Sequence, residues 1–197
     1  QVGGLAEDIP PGFYPEARKF CSWMPKAVDD YETLVDRNAI WLERTKGLGL
    51  LSAEDAVALG QTGPVLRGSG VDWDLRKAEP YLAYDEVDFD VPVYFNGDVW
   101  DRYKVHMDEM RESTRIVAQC LDRLEEMDGE PWIADDRKVV LPPREELHTS
   151  MESLIHHFKI VTEGYRVPEG EVYVTVESPR GELGCYVVSD GGPKPWR

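Results

Sequence analysis

An α+β fold, mainly a helical bundle with one small antiparallel β-hairpin, is predicted by three features of the sequence. From Asp98 to Met127, apolar or semi-apolar residues recur at alternating steps of four and three. Two other stretches, about 25–46 and 144–163, repeat that spacing. Near the C-terminus the period drops to two, on either side of a Pro–Gly turn.

The long stretch places Tyr103, Met107, Met110, Thr114, Val117, Leu121 and Leu124 on one face of an α-helix, and Ile116, Cys120, Leu124 and Met127 widen its C-terminal half. Asp98–Arg102, Asp108–Arg111 and Glu112–Arg115 set opposite charges one turn apart. At 1.5 Å per residue such a helix is roughly 45 Å long and needs partners along its seam.

Upstream, Gly3-Gly4 and Asp8-Ile-Pro-Pro-Gly12 read as a turn-rich entry. A helix is predicted from about Pro25, suited to a first turn, to Lys46, with Gly47 and Gly49 beyond it. Its stripe is Ala27, Tyr31, Leu34, Asn38, Trp41 and Thr45, so Asn38 is expected as a buried amide satisfied by a neighbouring helix. Ser52-Ala-Glu-Asp55 opens a two-turn helix that ends at Gly60. Residues 60–97, rich in glycine, proline, aromatics and charge, lack a regular period; a loop of that length in a compact domain is usually functional or an interface. After a second irregular connection, 129–143, Leu147, Met151, Leu154, Phe158 and Val161 predict a third helix to Glu163. A bundle over 25–163 is the economical arrangement. The hairpin, 171–189, alternates Val172, Val174 and Val176, then Leu183, Cys185 and Val187, around the turn Ser178-Pro-Arg-Gly181.

Composition narrows the function. The 197 residues carry 22 basic and 38 acidic side chains, a formal charge of −16, which disfavours nucleic acid and anionic lipid as partners. No apolar run reaches the roughly 20 residues of a membrane span. Cys21, Cys120 and Cys185 are scattered, with no C-x-x-C pair, and fit a reducing compartment. The chain starts without Met and ends without a closing element, so a segment of a longer protein is expected.

The motifs carry little self-contained chemistry. His148, Glu152 and His156 line one helical row, but that row drifts toward solvent and no second E-x-x-H faces it, so no metal is assigned. The run Asp85-Glu86-x-Asp88-x-Asp90 lacks the glycine and the twelfth-position glutamate of a calcium loop and reads as a solvated or partner-facing acidic edge. Walker, Rossmann and G-x-S-x-G patterns are missing. The turn at Ser178-Pro-Arg-Gly-Glu182 is the best local candidate: Gly181 allows close backbone approach and Arg180 is presented at the tip, although an ordinary exposed turn fits the same residues.

Four stretches in order nevertheless resemble one family: Gly63-Pro-Val-Leu-Arg-Gly-Ser-Gly-Val-Asp-Trp-Asp-Leu-Arg-Lys-Ala-Glu-Pro-Tyr81; Tyr103 to Leu124 with Glu109-Met-Arg-Glu-Ser113; Ser150-Met-Glu-Ser-Leu-Ile-His-His-Phe-Lys159 with Thr162-Glu-Gly-Tyr165; and Glu177-Ser-Pro-Arg-Gly-Glu-Leu-Gly184 through Val188-Ser-Asp-Gly-Gly192. Gly3-Gly-Leu-Ala-Glu-Asp-Ile-Pro10 fits the same family's entry to this region. Together they resemble the hydrogenase-like, quinone-site subunit of respiratory complex I, the bacterial NADH:quinone oxidoreductase, over essentially the whole chain. The resemblance implies a nickel–iron hydrogenase large-subunit-like fold, in part, and a place at the quinone-reduction cavity. There the family's member packs against the subunit that carries the terminal iron–sulfur cluster, peripheral to the cytoplasmic face of the membrane.

Quinone is then the substrate, FMN and iron–sulfur clusters reside in partner subunits, and this segment binds no cofactor and holds no catalytic residue. The resemblance assigns Arg180 and Gly181 to the quinone cavity, where a cation would stabilise negative charge developing on the quinone. It assigns Arg67, Asp74 and Arg76, in the aromatic loop 66–94, to a subunit interface. It also implies that the quinone-binding histidine and tyrosine lie upstream of Gln1, and that Gln1-Val2 replaces the Arg-Pro of many members. Cys185 stands where hydrogenases tend to have histidine. Hydrogenases bind their metals with two C-x-x-C pairs and this sequence has none, which favours the quinone-reducing branch. The large subunit of an energy-converting hydrogenase and a non-catalytic acidic helical scaffold remain the alternatives.

Overall fold

The computed structural model describes residues 2–127 and 129–197, so Gln1, and with it part of the expected Arg-Pro replacement, lies outside the described residues. The elements in chain order are α1 (Phe13–Val35), α2 (Ala39–Thr45), α3 (Ala53–Ala58), α4 (Gly63–Arg67), α5 (Leu75–Ala78), α6 (Val99–Glu126), α7 (Met151–Thr162), β1 (Gly170–Ser178) and β2 (Gly181–Ser189), with 3-10 turns at Tyr84–Glu86 and Arg144–His148. The two strands pair with each other, so the class is α+β as predicted.

Two compact units form. One is Gly12–Met127 with the hairpin tip Thr175–Gly184; the other is Gln1–Pro11, Asp128–Val174 and Cys185–Arg197.

In the first unit the long helix is where its spacing placed it. Asp98 caps it by accepting from the Asp101 amide at 2.8 Å. Two of the three expected pairs form, Arg111–Asp108 at 3.0 Å and Arg115–Glu112 at 3.2 Å. The Asp98–Arg102 pair does not. The second Asp98 oxygen accepts from the Gly47 amide at 2.7 Å, and Arg102 donates instead to the Gly97 and Gly49 carbonyls at 3.0 and 2.8 Å. A cap carboxylate with two backbone donors gains more than an exposed ion pair would offer.

Helix α1 runs antiparallel to α6. Arg18 near its start pairs with Asp122 and Glu125 at 2.8 and 2.7 Å, while Glu32 near its end pairs with Lys104 and Arg111. Between these rungs Ala27 and Val28 are buried, as are Val105 and Leu121 of α6.

The single helix predicted over 25–46 is corrected. Helix α1 starts twelve residues earlier, at Phe13, and Pro25 lies inside it. There the proline removes one backbone donor without ending the helix. The helix stops at Val35, and α2 starts anew because Asn38 is its N-cap, accepting from the Ile40 and Trp41 amides at 3.0 and 3.3 Å. Asn38 is therefore an exposed cap and not a buried amide; its short side chain competes for backbone donors better than it fills a seam. The capping box at Ser52 opens α3 as expected, with Ser52 accepting from the Asp55 amide at 3.0 Å.

The stretch 60–97, expected as a structureless loop, contains α4, α5 and a 3-10 turn, and supplies much of the unit's interior. Leu66, Leu75, Val87 and Phe89 are buried, with Arg67, Ser69 and Asp74 among them. Its acidic run is laced to α6: Arg115 pairs with Asp88 and with Asp90 (3.1 Å), Arg123 pairs with Glu86, and Gln119 exchanges hydrogen bonds with the Asp88 backbone at 2.8 and 2.6 Å.

In the second unit Gly4 bridges to Ile133, and the Leu5 amide donates to the Trp132 carbonyl at 3.1 Å. The helix expected from 144 to 163 is likewise corrected. Residues 144–148 form a separate 3-10 turn, and α7 begins at Met151 with Ser150 as its cap, accepting from the Ser153 amide at 3.2 Å. Glu146 on the turn accepts from Arg137 at 2.6 Å and from the Ser153 hydroxyl at 2.8 Å. His148 thus lies outside the helix that carries Glu152 and His156, and the three share no helical row. The apolar stripe of α7 is exposed, Phe158 by 65%.

Candidate functional site

The tip of the hairpin sits on α4 and the start of α5, and the sequence explains how it approaches so closely. A Cβ added to Gly63, the first residue of α4, would lie 2.3 Å from the Gly181 Cα; one added to Gly181 would lie 2.5 Å from the Thr62 Oγ1. Both glycines also have positive φ, +65° and +124°, a region that side chains disfavour. Two bare backbones therefore meet where any other residues would hold them apart.

Beneath the tip lies a buried cluster of charge. The Arg67 guanidinium, 1% exposed, donates through Nη1 to the Trp73 carbonyl at 2.9 Å and to Glu177 Oε1 at 3.0 Å, and through Nη2 to Glu109. Asp74 Oδ2 is 3.6 Å from Arg67 Nη1 and accepts from Arg76 Nη2 at 2.6 Å, while Asp74 Oδ1 accepts from Arg76 Nε at 3.0 Å. The second oxygen of Glu177 accepts from the Leu75 amide at 3.4 Å, and the Glu177 amide donates to the Tyr81 hydroxyl at 3.0 Å. Among the described residues, Arg67 Nε is the buried guanidinium nitrogen left without a hydrogen-bond partner.

Two guanidinium groups, Arg67 and Arg76, face three carboxylates, Asp74, Glu109 and Glu177, so one carboxylate is in excess when all are charged. The environments divide them. Burial acts to raise the Asp74 pKa, but the paired hydrogen bonds from Arg76 outweigh it and hold Asp74 below the ordinary carboxylate range. For Glu109 burial wins over Arg67 and the carboxyl is pushed up. His106, one helical turn before Glu109 and half-exposed, places Nδ1 3.7 Å from Glu109 Oε2. Of these three acids, Glu109, held above the ordinary carboxylate range by burial, is the one next to a solvent-reaching imidazole.

A cavity of about 320 Å³ opens onto this cluster, lined by Arg67, Arg76, His106, Glu109, Glu177 and the turn at Ser178-Pro179. Its wall is thus shared by the hairpin tip, the long helix and the stretch 60–97.

The residues singled out from sequence fall into two groups. Arg180 is exposed at the apex, and Gly181 is buried immediately beside it. Arg67 and Asp74 point inward, 1% and 0% exposed, so the groups they engage belong to this chain; Arg76, 13% exposed, reaches the cavity. The sequence alone assigns no role to Glu109, Glu177, His106, Tyr81 or Thr62. Glu109 carries a usable signal: Asp101, Val105 and Glu109 follow at steps of four on α6, and the first two are buried. An acid continuing a buried row is a sign of a charged partner inside.

The comparisons with known proteins agree with the resemblance of the motifs. The family model described as "Respiratory-chain NADH dehydrogenase, 49 Kd subunit" matches residues 1–197. An NADH-quinone oxidoreductase D subunit of Herpetosiphon aurantiacus is 54% identical over 197 residues, covering all of this chain and 47% of that protein. The corresponding protein of Geotalea uraniireducens is 54% identical over the same length, 50% of that protein, and that of Nitrosococcus oceani is 56% identical over 178 residues, 90% of this chain and 42% of that protein. The chain spans about half the length of the curated relatives it matches. With every residue of the sequence inside the match, the chain belongs to the respiratory-chain NADH dehydrogenase 49 Kd subunit family.

Proposed function

We propose that the chain forms one wall of the quinone-reduction cavity of a proton-pumping NADH:quinone oxidoreductase, at the face that meets the subunit carrying the terminal iron–sulfur cluster. The observation that carries this reading is the contrast at the hairpin tip. Glu177 and Gly181 are locked into the unit, while Arg180 between them is offered outward. A cation on a rigid mount is suited to stabilising negative charge as it develops on a bound quinone, because little reorganisation is needed when the charge appears.

In this reading quinone is the substrate, and electrons arrive from FMN and iron–sulfur clusters held by partner subunits. The segment itself contributes surface and the charge of Arg180, and holds none of the groups that carry the electrons. The stretch 66–94 meets a neighbouring subunit through its outer residues, Trp73 and Leu82, which are 39% and 91% exposed. Arg67 and Asp74 support that surface from inside, and Arg76 stands at its edge. In this reading the place at the cytoplasmic face of the membrane is peripheral and is held through neighbouring subunits, because a net charge of −16 disfavours direct contact with anionic lipid; among the described residues no helix is long and apolar enough to cross a membrane.

The test is Arg180→Ala in the intact complex. NADH-dependent quinone reduction should fall about tenfold or more, while NADH oxidation by a hydrophilic acceptor that accepts electrons upstream stays unchanged. Unchanged quinone reduction would remove Arg180 from the site and the proposal with it.

A further inference from the structure

We propose that Glu177 and Thr62 are positioning residues for Arg180, each fixing one strand of the hairpin at the point where the turn begins or ends. The inference rests on the quinone-site reading above and goes beyond it, because neither residue supplies the outward charge that reading invokes.

On the incoming strand, Glu177 is three residues before Arg180. Its carboxylate is 4% exposed and its backbone and side chain have three partners on other elements: Arg67 Nη1 at 3.0 Å, the Leu75 amide at 3.4 Å and the Tyr81 hydroxyl at 3.0 Å. On the outgoing strand, the Glu182 amide donates to Thr62 Oγ1 at 2.9 Å, directly after the Gly181–Gly63 contact. Inside the turn the Arg180 amide donates to Ser178 Oγ at 3.3 Å. The tip is thus anchored to the rest of the unit at its two feet, and Arg180 takes its place from them.

A guanidinium that acts on developing charge is sensitive to its position, and a shift of about 1 Å can cost up to a hundredfold in rate. Loosening either foot should reduce quinone reduction without touching the arginine. Arg67, shared between Glu177 and Glu109, ties the incoming foot to α6. This explains why a fully buried arginine stands under a turn whose own arginine is exposed.

The experiment is a double-mutant cycle in the intact complex, with Glu177→Gln and Thr62→Val each made alone and together with Arg180→Ala. Quinone kcat/KM is normalised to assembled complex by the upstream acceptor assay. Each single change should lower kcat/KM roughly tenfold where Arg180 is present, and add less than about twofold where it is replaced by alanine. A merely structural role would give losses that multiply in both backgrounds, and that result overturns the positioning role. Thr62→Val, nearly isosteric and away from the buried charges, decides the matter if Glu177→Gln lowers the amount of complex. If Arg180→Ala alone has no effect, the quinone-site reading fails. If Arg180→Ala lowers turnover while both foot variants do not, that reading stands and the positioning role fails.

Discussion

Helices α6 and α7 carry the same alternation of four and three, and the structure treats them differently. On α6 the stripe is covered in part: Thr114 and Leu121 are buried, as is Val105 beside them, while Val117 and Leu124 are 39% and 38% exposed. On α7 the corresponding residues are open, with Met151 at 77%, Phe158 at 65% and Val161 at 61%. The sequences of the two helices do not predict this. An apolar period says that a face would gain by being covered; whether anything covers it depends on the rest of the chain. For α6 that cover comes from α1, whose charges match it in antiparallel order, and from the stretch 60–97.

Four substitutions sharpen the contrast. The largest effect is expected for Arg67→Ala, which strands Glu177, Glu109 and Asp74 around one missing guanidinium. Loss of one partner of a buried pair costs about 3–5 kcal/mol, read as a lower unfolding midpoint in urea. Leu121→Ala on the covered face of α6 should cost about 3 kcal/mol, from lost transfer energy and the cavity left behind.

Asp74→Asn should cost about 2 kcal/mol at neutral pH, the worth of hydrogen bonds to a charged group. The pH dependence follows from the sign of the shift. Asp74 is depressed in the folded chain, so its contribution is present above the ordinary carboxylate pKa of about 4 and is lost as pH falls through the lower folded value. The difference between Asp74→Asn and the parent should thus shrink below about pH 4. Glu109 runs oppositely: its pKa is raised on folding, so its contribution is present below about pH 4 and is lost as pH rises through the folded value. The smallest effect is Phe158→Ala on the open stripe of α7, within about 0.5 kcal/mol by the same urea titration. A loss near that of Leu121→Ala would show that the stripe is covered in the unfolding unit, and the contrast between the helices would disappear.

Much of the local structure is legible in the residues. The capping box at Ser52, the span of α6 and the Pro–Gly hairpin follow from periodicity and residue types at fixed offsets, because each depends on backbone groups and faces within one element. The misplaced boundaries have local causes too. Asn38 fits the apolar stripe by its spacing, but its preference for capping is the stronger signal. Pro25 suits a helix start, but a long helix tolerates it inside. The company of the charged residues is another matter. Arg67 is expected at an interface from the family resemblance and its place in the loop 66–94, and nothing local announces its partners Glu109 and Glu177, which lie 42 and 110 residues away.

By itself, then, the sequence determined the class of fold, the helical and strand periods, the turn that presents Arg180, and the family motifs. The tertiary structure alone decided that Gly63 and Gly181 share one contact, that the stretch 60–97 is interior, and that three acids and two arginines close into one cluster under the turn. The reason is the range of the forces involved. Periodicity and caps report hydrogen bonds and faces within one element, whereas a buried charge is tolerable only when distant elements deliver its partners together, and no local pattern records that meeting.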